Sequence, residues 1–134
     1  MTYKLLALIP AGLAVAAPAA APSAAVAIGL WRNPKQTIEV RTGMCGAELC
    51  GTVVAASSTA RADARDAGVT HLIGTALLRN YRQTGPDSWS GRVFVPDMGR
   101  VFASRIAVLP PNRLRISGCI LGGLVCKSQV WTRA

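Results

Sequence analysis

Between residues 37 and 45 the chain alternates strictly. Ile38, Val40, Thr42 and Met44 share one face, and Glu39 and Arg41 lie on the other. A period of two is the signature of a half-buried strand. Across a turn expected at Ala47-Glu48, the residues Gly51, Val53 and Ala55 join the same apolar face. A short strand opens at Gly29-Leu30-Trp31-Arg32 and breaks at Asn33-Pro34. Further strands are predicted over residues 72–81, 89–95, 100–109, 113–120 and 124–133. Their separators are turn formers: Thr84-Gly85-Pro86-Asp87, Pro96-Asp97-Met98-Gly99 and Pro110-Pro111-Asn112. In the 113–120 strand Leu114, Ile116, Gly118 and Ile120 face in, while Arg113, Arg115 and Ser117 face out. Residues 57–68 break the alternation; they are polar and Ala-rich, with Ser58 or Thr59 available as an N-cap, so a short helical turn is expected. The pattern is that of an all-β protein: one small antiparallel up-and-down β-barrel of about eight strands with one short helical segment.

The first 27 residues do not belong to that pattern. Lys4 precedes an apolar run over residues 5–17, and Ala25-Val26-Ala27 supplies an A-x-A cleavage pattern. The run is too short to span a bilayer and is interrupted by Pro10 and Pro18. Residues 1–27 are therefore expected to be a signal peptide and residues 28–134 the single mature domain. That domain would be periplasmic or secreted, with no transmembrane anchor after processing.

Export decides the chemistry of the four cysteines. Neither the Cys45/Cys50 nor the Cys119/Cys126 spacing matches the usual two-residue zinc knuckle, and an oxidising compartment favours disulfides. No metal and no other cofactor is expected. Three pairings are open, of which register favours the local one. A tight turn at Gly122-Gly123 sets Cys119 opposite Cys126, and a turn at Ala47-Glu48 would set Cys45 opposite Cys50. Loops this short stabilise by about 2 kcal/mol each. The same register sets Leu114 against Trp131, Ile116 against Gln129 and Gly118 against Lys127. Gln129 and Lys127 then point inward, either as ligand contacts or as satisfied structural groups near an open rim.

Gly29-Leu30-Trp31 and Cys45-Gly46-Ala47-Glu48-Leu49-Cys50-Gly51 resemble the start of the bacterial domain-of-unknown-function family 2147. Leu77-Leu78-Arg79, Trp89-Ser90-Gly91, Val95-Pro96-Asp97-Met98-Gly99 and Gln129-Val130-Trp131-Thr132-Arg133 continue the resemblance in order. Asn80 departs from it, standing where a glycine is common. So does Phe94-Val95-Pro96, where an aromatic usually precedes the Asp-Pro turn. The resemblance implies an exported bacterial protein with a lipocalin-like barrel and no assigned activity. It is also similar to the wider calycin barrels, in which a Gly-x-Trp of the first strand packs beneath a basic residue from the end of the last. Gly29, Trp31 and Arg133 hold those positions, which implies barrel closure through a cation–π contact.

Nothing asks for catalysis, and the protein is not expected to be an enzyme. His71 is the only histidine, and no nucleophile elbow, zinc-binding helix or phosphate loop is present. Asp63 and Asp66, interleaved with Arg61 and Arg65, read as a solvated ion-pair face. Asp97 reads as a turn former. The chain carries 15 Lys and Arg against 6 Asp and Glu; without Lys4 of the leader, 14 remain and the net charge is +8. Arg92, Arg105, Arg113 and Arg115 fall on neighbouring late strands. Such a surface suits an anionic envelope component, and nucleic acid is not expected in this compartment. Two function classes follow. One is a monomeric binding module whose lumen takes a small hydrophobic or amphipathic ligand, lined by Ile38, Val40, Met44, Val53, Leu114 and Ile116, with Lys127 and Gln129 as polar anchors. The other is an interaction or inhibitor-type protein with a filled interior, working through its basic outer face and loops.

Overall fold

Eight strands close into an antiparallel barrel in the computed structural model, which describes residues 24–134. They are β1 (Gly29–Arg32), β2 (Ile38–Cys45), β3 (Glu48–Ala56), β4 (Ala76–Gly85), β5 (Ser88–Val95), β6 (Arg100–Leu109), β7 (Arg113–Ile120) and β8 (Val125–Arg133). Each pairs with the next, and β8 returns to β1 through Trp31↔Arg133 and Arg32↔Thr132. Every strand thus has a neighbour on both sides, although β1 meets β8 at these two positions alone among the described residues. A single turn of helix, α1 (Ala24–Ala27), precedes β1, and α2 (Ser58–Asp66) lies in the long β3–β4 connection. Among the described residues no helix is long and apolar enough to cross a membrane. The leader expected over residues 1–27 lies outside the described residues except for its last four.

The alternation places β6 and β7 where they are found, and the β7–β8 register is the expected one: Leu114↔Trp131, Ile116↔Gln129, Gly118↔Lys127 and Cys119↔Cys126. The connection itself is longer than two residues. It is a 3-10 turn at Leu121–Gly123 with Gly122 and Gly123 at φ 65° and 94°, joined to β8 through Leu124. The β2–β3 turn differs by one residue. Gly46, at φ 69°, takes the left-handed position that Glu48 would resist, so Cys45 pairs with Glu48 and Cys50 lies opposite Gly43. Cys45 and Cys50 are thus diagonal rather than directly opposed, yet their Cα atoms are 6.0 Å apart and the bridge forms. Cys119–Cys126 is the second disulfide.

Two further expectations shift for local reasons. The register shift between Glu39 and Val40 sets Ile38 against Ala56, so Ala56 packs on the core in place of Ala55. The cap of α2 is Ser57, not Ser58 or Thr59; its backbone is extended and its hydroxyl accepts from Ala60 N at 3.0 Å. Strand β4 begins at Ala76 because residues 72–75 are still crossing from the helix, anchored by buried Leu72. It is irregular at Asn80, whose φ of 55° is one that asparagine tolerates and that explains why glycine suits the position.

The core fills one half of the barrel. Trp31, Trp89, Tyr81, Leu49, Ile106, Leu114 and Val40 are fully buried there. Gly91 makes room for Tyr81: a Cβ at Gly91 would sit 2.6 Å from the ring and 2.7 Å from the Arg79 carbonyl. The Tyr81 hydroxyl donates to Ser104 Oγ at 2.7 Å, and both groups are buried. This packed half lies toward the end that holds both chain termini of the barrel and the β2–β3, β4–β5 and β6–β7 turns.

Candidate functional site

Two ends of the same barrel are built differently. The closed end is plugged by Trp31, whose indole N–H donates to the Ala27 carbonyl at 3.0 Å. Thr42, also buried, donates to the same carbonyl at 2.6 Å and accepts from Gly29 N at 2.9 Å. The Arg133 guanidinium covers the Trp31 ring with its central carbon 4.2 Å from the centroid. It also donates to the Ile28 carbonyl at 3.1 Å, the Val26 carbonyl at 2.7 Å and Asn112 Oδ1 at 3.2 Å. A Cβ at Gly29 would collide with this guanidinium. A cut after Ala27 would remove two of these acceptors, Val26 and Ala27.

The opposite end holds the candidate site, a cavity of about 750 Å³ that opens to solvent. Its wall comes from alternate positions of β5 to β8: Val93 and Val95, Phe102, Ile116 and Ile120, then Val125. Leu77 and Trp131 also line it. Helix α2 forms one side of the mouth. Ala60 and Ala64, four residues apart, turn toward the core, which brings Thr59 and Asp63 to the cavity. The β5–β6 turn backs onto the end of the helix. Gly99 has φ 62°, and a Cβ there would lie 2.8 Å from the Ala67 carbonyl. The β1–β2 loop is held by Asn33, whose Oδ1 accepts from Thr37 N at 2.8 Å and Ile38 N at 2.9 Å, and this sets Lys35 at the rim.

Polar groups enter this apolar lumen at few places. Lys127 and Arg100 line it, and among the described residues neither makes an ion pair. The Gln129 carbonyl oxygen accepts from the Trp131 indole at 3.0 Å, so this bond leaves its amide N–H groups to donate elsewhere, and Gln129 lines the cavity. Gln129 therefore acts partly as a structural partner and partly as an open donor. Asp63 and Asp97 are the carboxylates of the mouth. They stand where a solvated ion-pair face and a simple turn former were expected. Among the described residues the ion pairs that form are Arg32–Glu39 at 2.6 Å and Arg82–Glu48 at 3.0 Å.

Of the residues expected to line a lumen, Ile38, Ile116, Lys127 and Gln129 do so. Val40, Val53 and Leu114 do not. Their inward side chains lie in the packed half, at 0–1% exposure, where they meet partners from across the barrel. Met44 is not a lining residue either: it stands near the closed end of β2, opposite buried Leu49, and is 42% exposed. Lining residues absent from that set include Arg100, Phe102, Val95 and Val125. Alternation could have found them, since Arg100 and Phe102 are in phase with inward Ser104 and Ile106, and Val125 with Lys127.

The outer wall is basic. Arg105 pairs with Ser117, which shares the outward phase of Arg113 and Arg115, so all three face solvent; Arg92 pairs with Arg79 and Ala103 on the same face. Several of these arginines are engaged. Arg79 lies 4.8 Å over the Phe94 ring, and Arg92 donates to Asn80 Oδ1 at 3.1 Å. Hydrogen bonds from Asn80 and then Arg82 hold the Glu48 carboxyl below its usual range. His71 is exposed beside a depression of about 230 Å³ that also touches Arg61 and Arg65. Among the described residues no group of three His, Cys, Asp or Glu side chains could hold a metal ion.

Comparison with known proteins agrees with this architecture. The family model described as "Uncharacterized protein conserved in bacteria (DUF2147)" matches residues 29–133. The chain is similar in fold to a solved structure titled "Protein HP1028 from the human pathogen Helicobacter pylori belongs to the lipocalin family". That match has a TM-score of 0.59 at 11% sequence identity and covers 80% of this chain and 82% of the other. No curated protein matches the chain.

Proposed function

The chain belongs to this family of bacterial proteins, and from that premise we propose that it is a small exported binding module, a carrier or sensor. Its open lumen takes a hydrophobic or amphipathic ligand. The observation that carries the reading is the cavity of about 750 Å³, within the size range of small-molecule sites and walled mainly by apolar side chains. An aliphatic chain would lie against Val93, Phe102 and Ile116, with its polar group at Lys127 and the Gln129 amide. A cation without a carboxylate partner, set at the edge of an apolar lumen, favours an anionic head on that ligand. Two disulfides support export, because paired thiols persist in oxidising compartments.

A filled barrel acting through its outer arginines is the competing reading. The cavity argues against its premise, and the cation–π and hydrogen-bond contacts of Arg79, Arg82 and Arg92 occupy part of the surface it needs.

Native mass spectrometry of the protein, purified gently from its own host, tests the proposal, alongside titration with a fluorescent fatty acid. A reproducible non-covalent adduct or saturable 1:1 probe binding is expected. A bare mass together with no saturable binding would sink it.

A further inference from the structure

The turns around the mouth are more apolar than a solvated rim needs to be. Leu124, at the tip of the β7–β8 turn, is 85% exposed, and Met98, in the β5–β6 turn, is 53% exposed. Ile120 and Val125 flank Leu124, are both exposed, and also line the cavity, so apolar surface runs from the lumen over the lip to the tip. Single exposed apolar residues need no explanation, but a cluster continuous with an open cavity does. Three cations stand around it, Lys35, Arg100 and Lys127, against two carboxylates, Asp63 and Asp97. The excess is positive at the mouth, as it is over the whole chain.

We propose that the mouth of the barrel docks on an anionic lipid bilayer, with Leu124 and Met98 entering the acyl boundary and Lys35, Arg100 and Lys127 at the level of the lipid phosphates. The chemistry is that of an interfacial anchor, in which apolar side chains insert and flanking basic residues meet anionic heads. Shape favours a bilayer over an acidic protein. The apolar side chains crown two separate turn tips instead of forming one flat patch, and a fluid surface can accept both. Docked this way, the open lumen faces the source of an amphipathic ligand. That a lipid then enters the lumen rests on the reading above; the docking does not.

The test is co-sedimentation of the processed protein with vesicles rich in phosphatidylglycerol and with vesicles of phosphatidylcholine alone. Partitioning should favour the anionic vesicles and fall as salt is raised. The Leu124→Asp variant should bind them at least tenfold more weakly. Arg100→Gln and Lys35→Gln, which leave the lumen anchor Lys127 in place, should each cost about fivefold. Because Leu124 is exposed, its variant should melt at the wild-type temperature and bind a soluble fluorescent fatty acid with unchanged affinity. Equal partitioning to both vesicle types, or Leu124→Asp partitioning like wild type, would overturn the docking. So would failure of the wild type to sediment with anionic vesicles; an acidic protein partner would then fit the rim better. Vesicle binding without fatty-acid binding would sink the lumen reading and leave the docking standing, and the reverse result would do the opposite.

Discussion

Filling the lumen from within separates ligand binding from stability. Gly118 faces the cavity from β7, opposite Lys127 on β8. A Cβ at this position would meet Val93 Cγ1 at 3.6 Å and Phe102 Cβ at 3.9 Å, which is ordinary contact, and its backbone lies outside the left-handed region. Gly118→Leu should therefore be accommodated. The new side chain brings four carbons into space that a bound chain would use. Losing the burial of four methylenes costs about 3 kcal/mol, or about a hundredfold in Kd. The fold should not suffer, because a leucine gains burial against Val93 and Phe102, and glycine in a strand is itself unfavourable by about 0.5–1 kcal/mol. The assay is fluorescence titration with a fatty-acid probe, paired with thermal melting. A variant that melts at or above the wild-type temperature and binds the probe within twofold of wild-type affinity would refute the lumen as the binding site. A large fall in melting temperature would refute the open volume itself.

Other expectations bear on the closed half. Gly91→Ala should lower stability by about 1–3 kcal/mol, read as a fall in the urea midpoint, because its Cβ would press on the Tyr81 ring and the Arg79 carbonyl. Burial pushes the Tyr81 phenol well up, so the folded state keeps that proton longer than the unfolded one. Stability from this group is intact below a pH of about 10 and falls as pH rises beyond it. Phenolate absorbance from Tyr81 should therefore appear together with loss of structure; a phenolate band at pH 10–11 with circular dichroism unchanged would contradict the burial. Finally, a chain cut before Val26, rather than after Ala27 as the A-x-A pattern suggests, keeps the carbonyls that serve Arg133, Trp31 and Thr42. It should be the exported form and melt above one that starts at Ile28. Intact mass reads this directly, and a chain starting at Ile28 with an undiminished melting temperature would contradict it.

Alternation and turn chemistry carry most of the architecture. Strand β7 is legible because Leu114, Ile116 and Gly118 alternate with Arg113, Arg115 and Ser117, and once Cys119 is set opposite Cys126 the β8 register follows residue by residue. Positions governed by a single backbone angle were harder to read. Gly46 rather than Glu48 takes the positive φ of the β2–β3 turn, which shifts the pairing of Cys45, and the bulge at Glu39/Val40 replaces Ala55 by Ala56. The lumen was half legible. Alternation tells which residues face inward but not how far along the axis the barrel is filled. Val40 and Leu114 point inward just as Ile116 does, yet lie in the packed half. The mouth cation Lys35 depends on how the β1–β2 loop folds over the rim, and no periodicity reports that.

The position of the cavity follows from side-chain size along the inward rows. Toward the closed end those rows present Trp31, Trp89, Tyr81, Leu49, Ile106 and Leu114, which meet across the axis. Toward the mouth they present Val93, Val95, Gly118 and Val125 among the longer Phe102 and Ile116, and the space between them stays open. A wall next to a void lacks the packing that normally fixes a strand; along β8 only Trp131 is buried. The hairpin it forms with β7 must then be held by its ladder and by the outward Cys119–Cys126 bridge, worth about 2 kcal/mol for a loop of this size. On this view the second disulfide substitutes for the core that an open lumen removes. Reduction should loosen the β7–β8 wall before the packed half, with Lys127 and Gly118 amides losing hydrogen-exchange protection first and Tyr81 and Ile106 last. Uniform loss of protection across both halves would show that the wall draws its stability from the common core instead.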